Sequence, residues 1–216
     1  MTHGKWLSLL LGLLVVPAWA SPACACAPVA PAKGREFTAR QADVLVMGDS
    51  IAAGLPLKAL ERAFPGMSID KIATAGERAQ QTLWKVDQIA DLRPQYVVLI
   101  VGTNNLGRSA PCSTAATIVE LVKRIQKLGP KAIYVFAILP RGDRGDERLA
   151  VNTEVAAALA GRHGVRLINL EQELQACPSC YREDRLHLSK RGYEVLAGGM
   201  AGTSNSKLEW RDSQDR

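Results

Sequence analysis

Histidine is scarce in this chain. There are three in 216 residues, His3, His163 and His187, too few and too scattered for a multi-histidine metal site. Cysteine is nearly as sparse, at five. A single Cys177-Pro-Ser-Cys180 has no second pair and no histidine at ligand spacing, which argues against structural zinc. It also lies in a loop rather than at a helix start after a strand, where a thioredoxin-like redox motif would sit. No Lys/Arg run and no interleaved aromatics accompany the formal charge of +6, so dedicated nucleic-acid binding is not expected. No internal repeat is visible, and the longest apolar run, residues 6–16, is too short to span a bilayer as an anchor.

That run has a clear alternative use. Lys5 precedes it and Ala18-Trp19-Ala20 follows it, the layout of a secretory signal over residues 1–20 with cleavage before Ser21. Ser21-Pro22-Ala23 lacks the leucine expected before a lipid-modified cysteine, so neither Cys24 nor Cys26 is read as an anchor. The mature protein is therefore expected in the periplasm or secreted, where disulfides are permitted. Cys177 and Cys180 could close a small ring, or either could pair with Cys112. Residues 21–40, rich in Ala and Pro, read as a linker, residues 41–200 as one domain, and residues 201–216 as a polar, fraying tail.

Within the domain, strand-like and helix-like stretches alternate. Strands are expected at 44–47, 67–72, 96–101, 132–138 and 165–168, the second more mixed in character and so nearer an edge. Residues 96–101 form a six-residue apolar run suited to a central parallel strand. Helices are expected at 57–64, 79–92, 114–128 (Ser113 as N-cap), 149–159 and 189–197. Leu83, Val86, Ile89 and Ala90 share one face of the second, and Ile118, Leu121, Val122 and Ile125 face inward from the third. Such alternation predicts an α/β fold, a three-layer α/β/α sandwich on a mainly parallel five-stranded sheet. Chemistry in such sheets gathers outside the C-terminal strand ends.

Four places there carry suggestive residues. Gly48-Asp49-Ser50 follows the first strand, Gly76 the second, Gly102-Thr103-Asn104-Asn105 the third, and Asp184-Arg185-Leu186-His187 precedes the last helix. A serine hydroxyl needs a base, and His187 is the sensible candidate: His3 leaves with the leader, and His163 ends a surface helix. Asp184, three residues earlier, can reach back to Nδ1 and fix the tautomer. Attack on an ester also needs preorganised donors for the oxyanion. Gly76 lets backbone approach closely, and Asn104 brings a neutral amide.

Taken together and in this order, the four blocks resemble those of the SGNH (GDSL-type) hydrolase superfamily. The pattern is most similar to the catalytic subunits of platelet-activating-factor acetylhydrolase. The similarity takes in Leu83-Trp84-Lys85, Leu139-Pro140-Arg141-Gly142, Val151-Asn152 and the run from Leu186 to Tyr193. Asn105 stands where the superfamily more often has Asp, and matches the acetylhydrolase subgroup. The resemblance implies a flavodoxin-like fold and a serine esterase with Ser50, His187 and Asp184 as triad. It implies an oxyanion hole from the Ser50 and Gly76 N–H groups and the Asn104 amide, with Arg141 and Gly142 at the pocket rim. No metal or organic cofactor is implied. Substrates would be small-molecule, lipid or carbohydrate esters with short acyl groups, and the related subunits pair, so a homo-oligomer is compatible. Acyl transfer, lysophospholipase or thioesterase chemistry would use the same residues. A non-catalytic envelope carbohydrate-binding module would have no need of a triad.

Overall fold

The computed structural model describes residues 40–89 and 91–205. The leader, the linker up to residue 39, Ala90 and the last part of the tail lie outside the described residues. Among the described residues five strands form one sheet: β1 (Val44–Gly48), β2 (Ile69–Ala73), β3 (Tyr96–Ile100), β4 (Ala132–Phe136) and β5 (Val165–Ile168). Their order is β2-β1-β3-β4-β5, and every pairing is parallel. The apolar run of β3 occupies the centre, and the more polar β2 forms an edge, as its composition predicts.

Among the described residues seven helices cover the sheet: α1 (Ser50–Gly54), α2 (Leu57–Ala63), α3 (Ala79–Gln88), α4 (Pro111–Lys127), α5 (Gly145–Leu159), α6 (Glu171–Gln175) and α7 (Lys190–Asn205). Alternation along the strands sends Val44, Val46, Val98 and Ile100 to one face, where they pack with Leu60 of α2 and Leu196 and Met200 of α7. Leu45, Met47, Val97 and Leu99 point to the other face, against Val86, Ile118, Leu121, Val122, Ile125 and Val151. The result is the expected three-layer sandwich, with both faces of the sheet buried.

Several boundaries differ from the sequence expectation, each for a local reason. The second strand runs Ile69–Ala73, because Pro65-Gly66 is followed by a turn held by Met67 N–H donating to Phe64 O. Helix α4 starts earlier than expected: Pro111 sits in its first turn, the N-cap is Ala110, and Ser113 caps nothing. Helix α5 starts at Gly145 with Asp146 and Glu147 in its first turn, a favourable placement of negative charge. Helix α7 continues past Ala197 to Asn205, into the segment whose polarity suggested a tail. Helix α6 has no counterpart in the sequence expectation, and a 3₁₀ turn at Pro178–Cys180 occupies the stretch expected as loop. Cys177 and Cys180 form a disulfide. Cys112 is disulfide-bonded as well, to neither of them.

The topology positions the site. β1 runs first to β2 on one side and the chain then crosses to β3 on the other, so the crevice opens at the C-terminal end of β1. Gly48 lies level with Ala73 of β2 and Ile100 of β3, so the loops leaving these three strands emerge along one edge.

Candidate active site

Gly48 is where the strand turns into the site. Its φ is +143°, and a Cβ there would lie 1.8 Å from the Ile100 carbonyl oxygen, so only glycine permits the close approach of β1 to β3. Asp49 N–H then donates to Ile100 O, and Thr74 N–H donates to Gly48 O. These bonds fasten the first three loops together. Asp49 caps α1 by accepting from Ile51 N–H at 2.9 Å, which sets the serine at the first helical position.

The last loop reaches this point from the far end of the chain. His187 Nε2 lies 2.9 Å from Ser50 Oγ, across 137 residues of sequence. His187 Nδ1 lies 2.7 Å from Asp184 Oδ2. The other Asp184 oxygen accepts from the backbone N–H groups of Leu186 and His187 at 3.0 and 2.9 Å. The bond from the His187 ring, followed by these backbone bonds, holds the Asp184 carboxyl well below the usual carboxylate range. An ionised Asp184 accepts only, so Nδ1 carries the proton and Nε2 accepts from the Ser50 hydroxyl. His163 takes no part: it lies in the turn after α5, where its carbonyl accepts from Gln126.

Gly76 adopts φ +77°, and a Cβ on it would meet nothing within 4 Å; its α-carbon faces open space. Asn104 donates one amide N–H to Glu77 O at 2.9 Å, and its second amide N–H has no partner among the described residues. Gly102, at φ +110°, begins the turn that carries Asn104, and a Cβ there would lie 2.7 Å from Ile138 Cδ1. Asn105 is fully buried and accepts from Ala79 N–H at 2.9 Å while donating to Gln80 Oε1 at 2.8 Å. It ties the start of α3 to the β3 loop. Arg141 donates to Thr103 O at 3.3 Å and pairs with Asp143 at 2.5 Å. Asn152 bonds both the N–H and the C=O of Ile138, fixing the end of the fourth strand.

Sequence reasoning missed the support beneath the Gly76 loop. Lys85 is fully buried and pairs with Glu77 at 2.5 Å. Lys85 also donates to Thr74 Oγ1 at 2.8 Å, and Thr82 donates to the second Glu77 oxygen at 2.7 Å. Thr74 and Glu77 bracket Gly76, so this closed polar cluster holds the loop from both ends. Leu83, expected on the buried face of α3, is only half-buried; Val86 and Ile89 are buried with Lys85 and Thr82. The available signal was Lys85, one turn from both Thr82 and Ile89 on a face otherwise facing the core. Asp49 was also passed over. Burial pushes its carboxyl up to about 7, and the nearby Glu77 charge adds to the rise against the Ile51 bond. Its Oδ2 is buried with no hydrogen-bond partner.

Among the described residues no group of three or more His, Cys, Asp or Glu side chains is placed to hold a metal ion, and no helix is long and apolar enough to cross a membrane. The arrangement can activate a hydroxyl and receive developing negative charge beside it.

Comparison with known proteins agrees. The chain is 28% identical over 173 residues to platelet-activating factor acetylhydrolase IB subunit alpha1 from Rattus norvegicus, covering 74% of each protein. A lipase/acylhydrolase structure from Enterococcus faecalis superposes with a TM-score of 0.62 at 19% identity, over 74% of this chain and 94% of that one. A carbohydrate esterase family 3 structure from Talaromyces cellulolyticus gives a TM-score of 0.62 at 17% identity, over 74% and 95%. The family model for the GDSL-like Lipase/Acylhydrolase family matches residues 46–195, from inside β1 into α7 and across all four blocks, and the chain belongs to that family.

Proposed function

We propose that the protein is an exported serine esterase that hydrolyses short acyl esters, acetyl above all, through an acyl-serine on Ser50. The observation that carries this reading is the 2.9 Å contact between Ser50 Oγ and His187 Nε2. His187 takes the Ser50 proton as Oγ attacks the ester carbonyl, and Asp184 stabilises the imidazolium through Nδ1–H. The oxyanion is received by the N–H groups of Ser50 and Gly76 and by the free amide N–H of Asn104. His187 then returns the proton to the departing alkoxide, and the ester oxygen leaves as the alcohol. Water, deprotonated by His187, attacks the acyl-serine and releases the acid and free Ser50.

Support for the acetyl preference comes from the acetylhydrolase relative, and support for export from the leader pattern at residues 1–20. The substrate is a small-molecule, lipid or carbohydrate ester outside the cytoplasm.

The test joins fluorophosphonate labelling with a p-nitrophenyl ester series from acetyl to octanoyl. Labelling at Ser50, loss of turnover in Ser50→Ala and the highest kcat/KM on acetate are expected. Adding an alcohol acceptor separates hydrolysis from acyl transfer: free acetate as the product supports the esterase, and an acetylated acceptor as the main product overturns it. Turnover that survives Ser50→Ala overturns the mechanism.

A further inference from the structure

Beside the triad, but not lined by Ser50, Gly76 or Asn104, lies a cleft of about 660 Å³. It shares with the triad the loop that carries Asp184, since Arg182, Glu183 and Arg185 form one wall. Pro140, Arg141 and Gly142 line it as well. Three arginines and one carboxylate, Glu183, thus line the cleft.

Two of the three are uncommitted. Arg141 pairs with Asp143, as Arg124, Arg144, Arg148 and Arg191 elsewhere each meet an acidic side chain. Arg182 and Arg185 pair with no carboxylate among the described residues. Arg182 donates from Nε to Leu188 O at 3.2 Å, and its two terminal nitrogens have no hydrogen-bond partner among the described residues.

Arg185 is held in place by its backbone. Its φ is +51°, a left-handed conformation costing a non-glycine residue about 1–2 kcal/mol. Its carbonyl accepts from Gly142 N–H at 3.3 Å. Its stem lies over Gly142, where a Cβ would come within 3.4 Å of the Arg185 Cβ and Cδ. A strained backbone braced by a neighbouring loop is a feature of binding sites more than of solvated surface. Glu183 is the one carboxylate lining the cleft; of the acids next to it, Asp184 is bonded to His187 and Asp143 holds Arg141.

We propose that this cleft is an anion subsite that binds a carboxylate or phosphate carried by the substrate away from the scissile ester. The proposal rests on the esterase reading and narrows its substrate class to acidic esters. Planar guanidinium groups grip either anion through two parallel N–H bonds. Because both arginines are exposed, the attraction is screened by salt.

The experiment compares kcat/KM for para-acetoxybenzoate, para-acetoxyphenyl phosphate and the neutral methyl para-acetoxybenzoate. Wild type is expected to prefer at least one anionic ester, with the preference falling as NaCl is added. Arg185→Gln is expected to lower the anionic-to-neutral ratio about tenfold, the scale of one hydrogen bond to a charged group, mainly through KM. Arg185→Glu should lower it further, and Arg182→Gln, read alongside, should act in the same direction. A larger effect on the carboxylate ester or on the phosphate ester identifies the group bound. A ratio that Arg185→Glu leaves unchanged in a protein with native circular dichroism overturns the subsite, as does an equal loss on charged and neutral esters. If the neutral ester turns over by a Ser50-dependent route while the ratio ignores charge, only the subsite fails. If turnover is independent of Ser50, the esterase reading fails first.

Discussion

Replacing Lys85 with methionine strands the Glu77 carboxylate, whose side chain is 3% exposed, in the interior with only Thr82 to answer it. Removing one partner of a buried pair costs about 3–5 kcal/mol, whereas replacing both by apolar groups is often neutral or stabilising. A domain of this kind has only about 5–15 kcal/mol in total. With a urea m-value of about 2–3 kcal/mol/M, a loss near 4 kcal/mol moves the unfolding midpoint down by about 1.3–2 M. Lys85→Met/Glu77→Leu is expected to recover most of that midpoint. Activity should not recover with it, because the pair, with the Thr74 and Thr82 hydroxyls, fixes the loop on which Gly76 sits and whose Glu77 carbonyl orients Asn104. The deficit in kcat is bounded by the loss of one oxyanion donor, about 10²–10³-fold. Urea titration by circular dichroism and steady-state kinetics on p-nitrophenyl acetate read the two quantities separately. A single variant costing less than about 1 kcal/mol, or a double variant with wild-type kcat, would refute the reasoning.

Asn104→Ala is expected to lower kcat by about 10²–10³-fold with little change in KM, since its free N–H meets charge that exists only in the transition state; steady-state kinetics check it, and a change confined to KM would count against the role. Asp49 should give a pH signature. Its folded-state value near 7 exceeds the unfolded value of about 3.9, so its contribution is fully present below about pH 4 and is lost as pH rises toward 7. Asp49→Asn should flatten that fall in urea midpoint. Asp184, shifted downward, acts in the opposite sense and only below about pH 4, so the two windows are separable. Gly192→Ala pits helix propensity, worth about 1 kcal/mol in favour of alanine, against a Cβ placed 2.2 Å from the Cys180 carbonyl oxygen. Overpacking of that kind costs about 1–3 kcal/mol, so the melting temperature should fall; a rise would show that the turn yields.

What was legible in the sequence had strong periodicity or rested on a backbone requirement. The run that became β3 and the inward face of α4 needed only burial to explain them, and Gly48 and Gly76 stand where positive φ is required. The four loops could be named because parallel topology sends strand ends to one edge, whatever the exact boundaries. Helix α6, five residues long, was illegible because so short a segment has no period to detect. The Glu77–Lys85 cluster was hidden for another reason. A lysine on a helix reads as solvated until tertiary packing supplies partners, and those partners come from the β2 loop, in contacts that local propensity does not encode. The register between Ser50 and His187 depends likewise on α7 and on the bridge between Tyr181 and Leu188, which fold the last loop back over β1.

The central claim is that Ser50, activated by His187, carries the acyl group. Its most direct measurement is acid-quenched peptide mapping during turnover of p-nitrophenyl acetate, with the burst of p-nitrophenol followed in parallel. One acetyl group on the peptide bearing Ser50, absent in Ser50→Ala and formed far more slowly in His187→Ala, is the predicted result. An acetyl group on any other residue, or undiminished turnover without one on Ser50, would contradict the account.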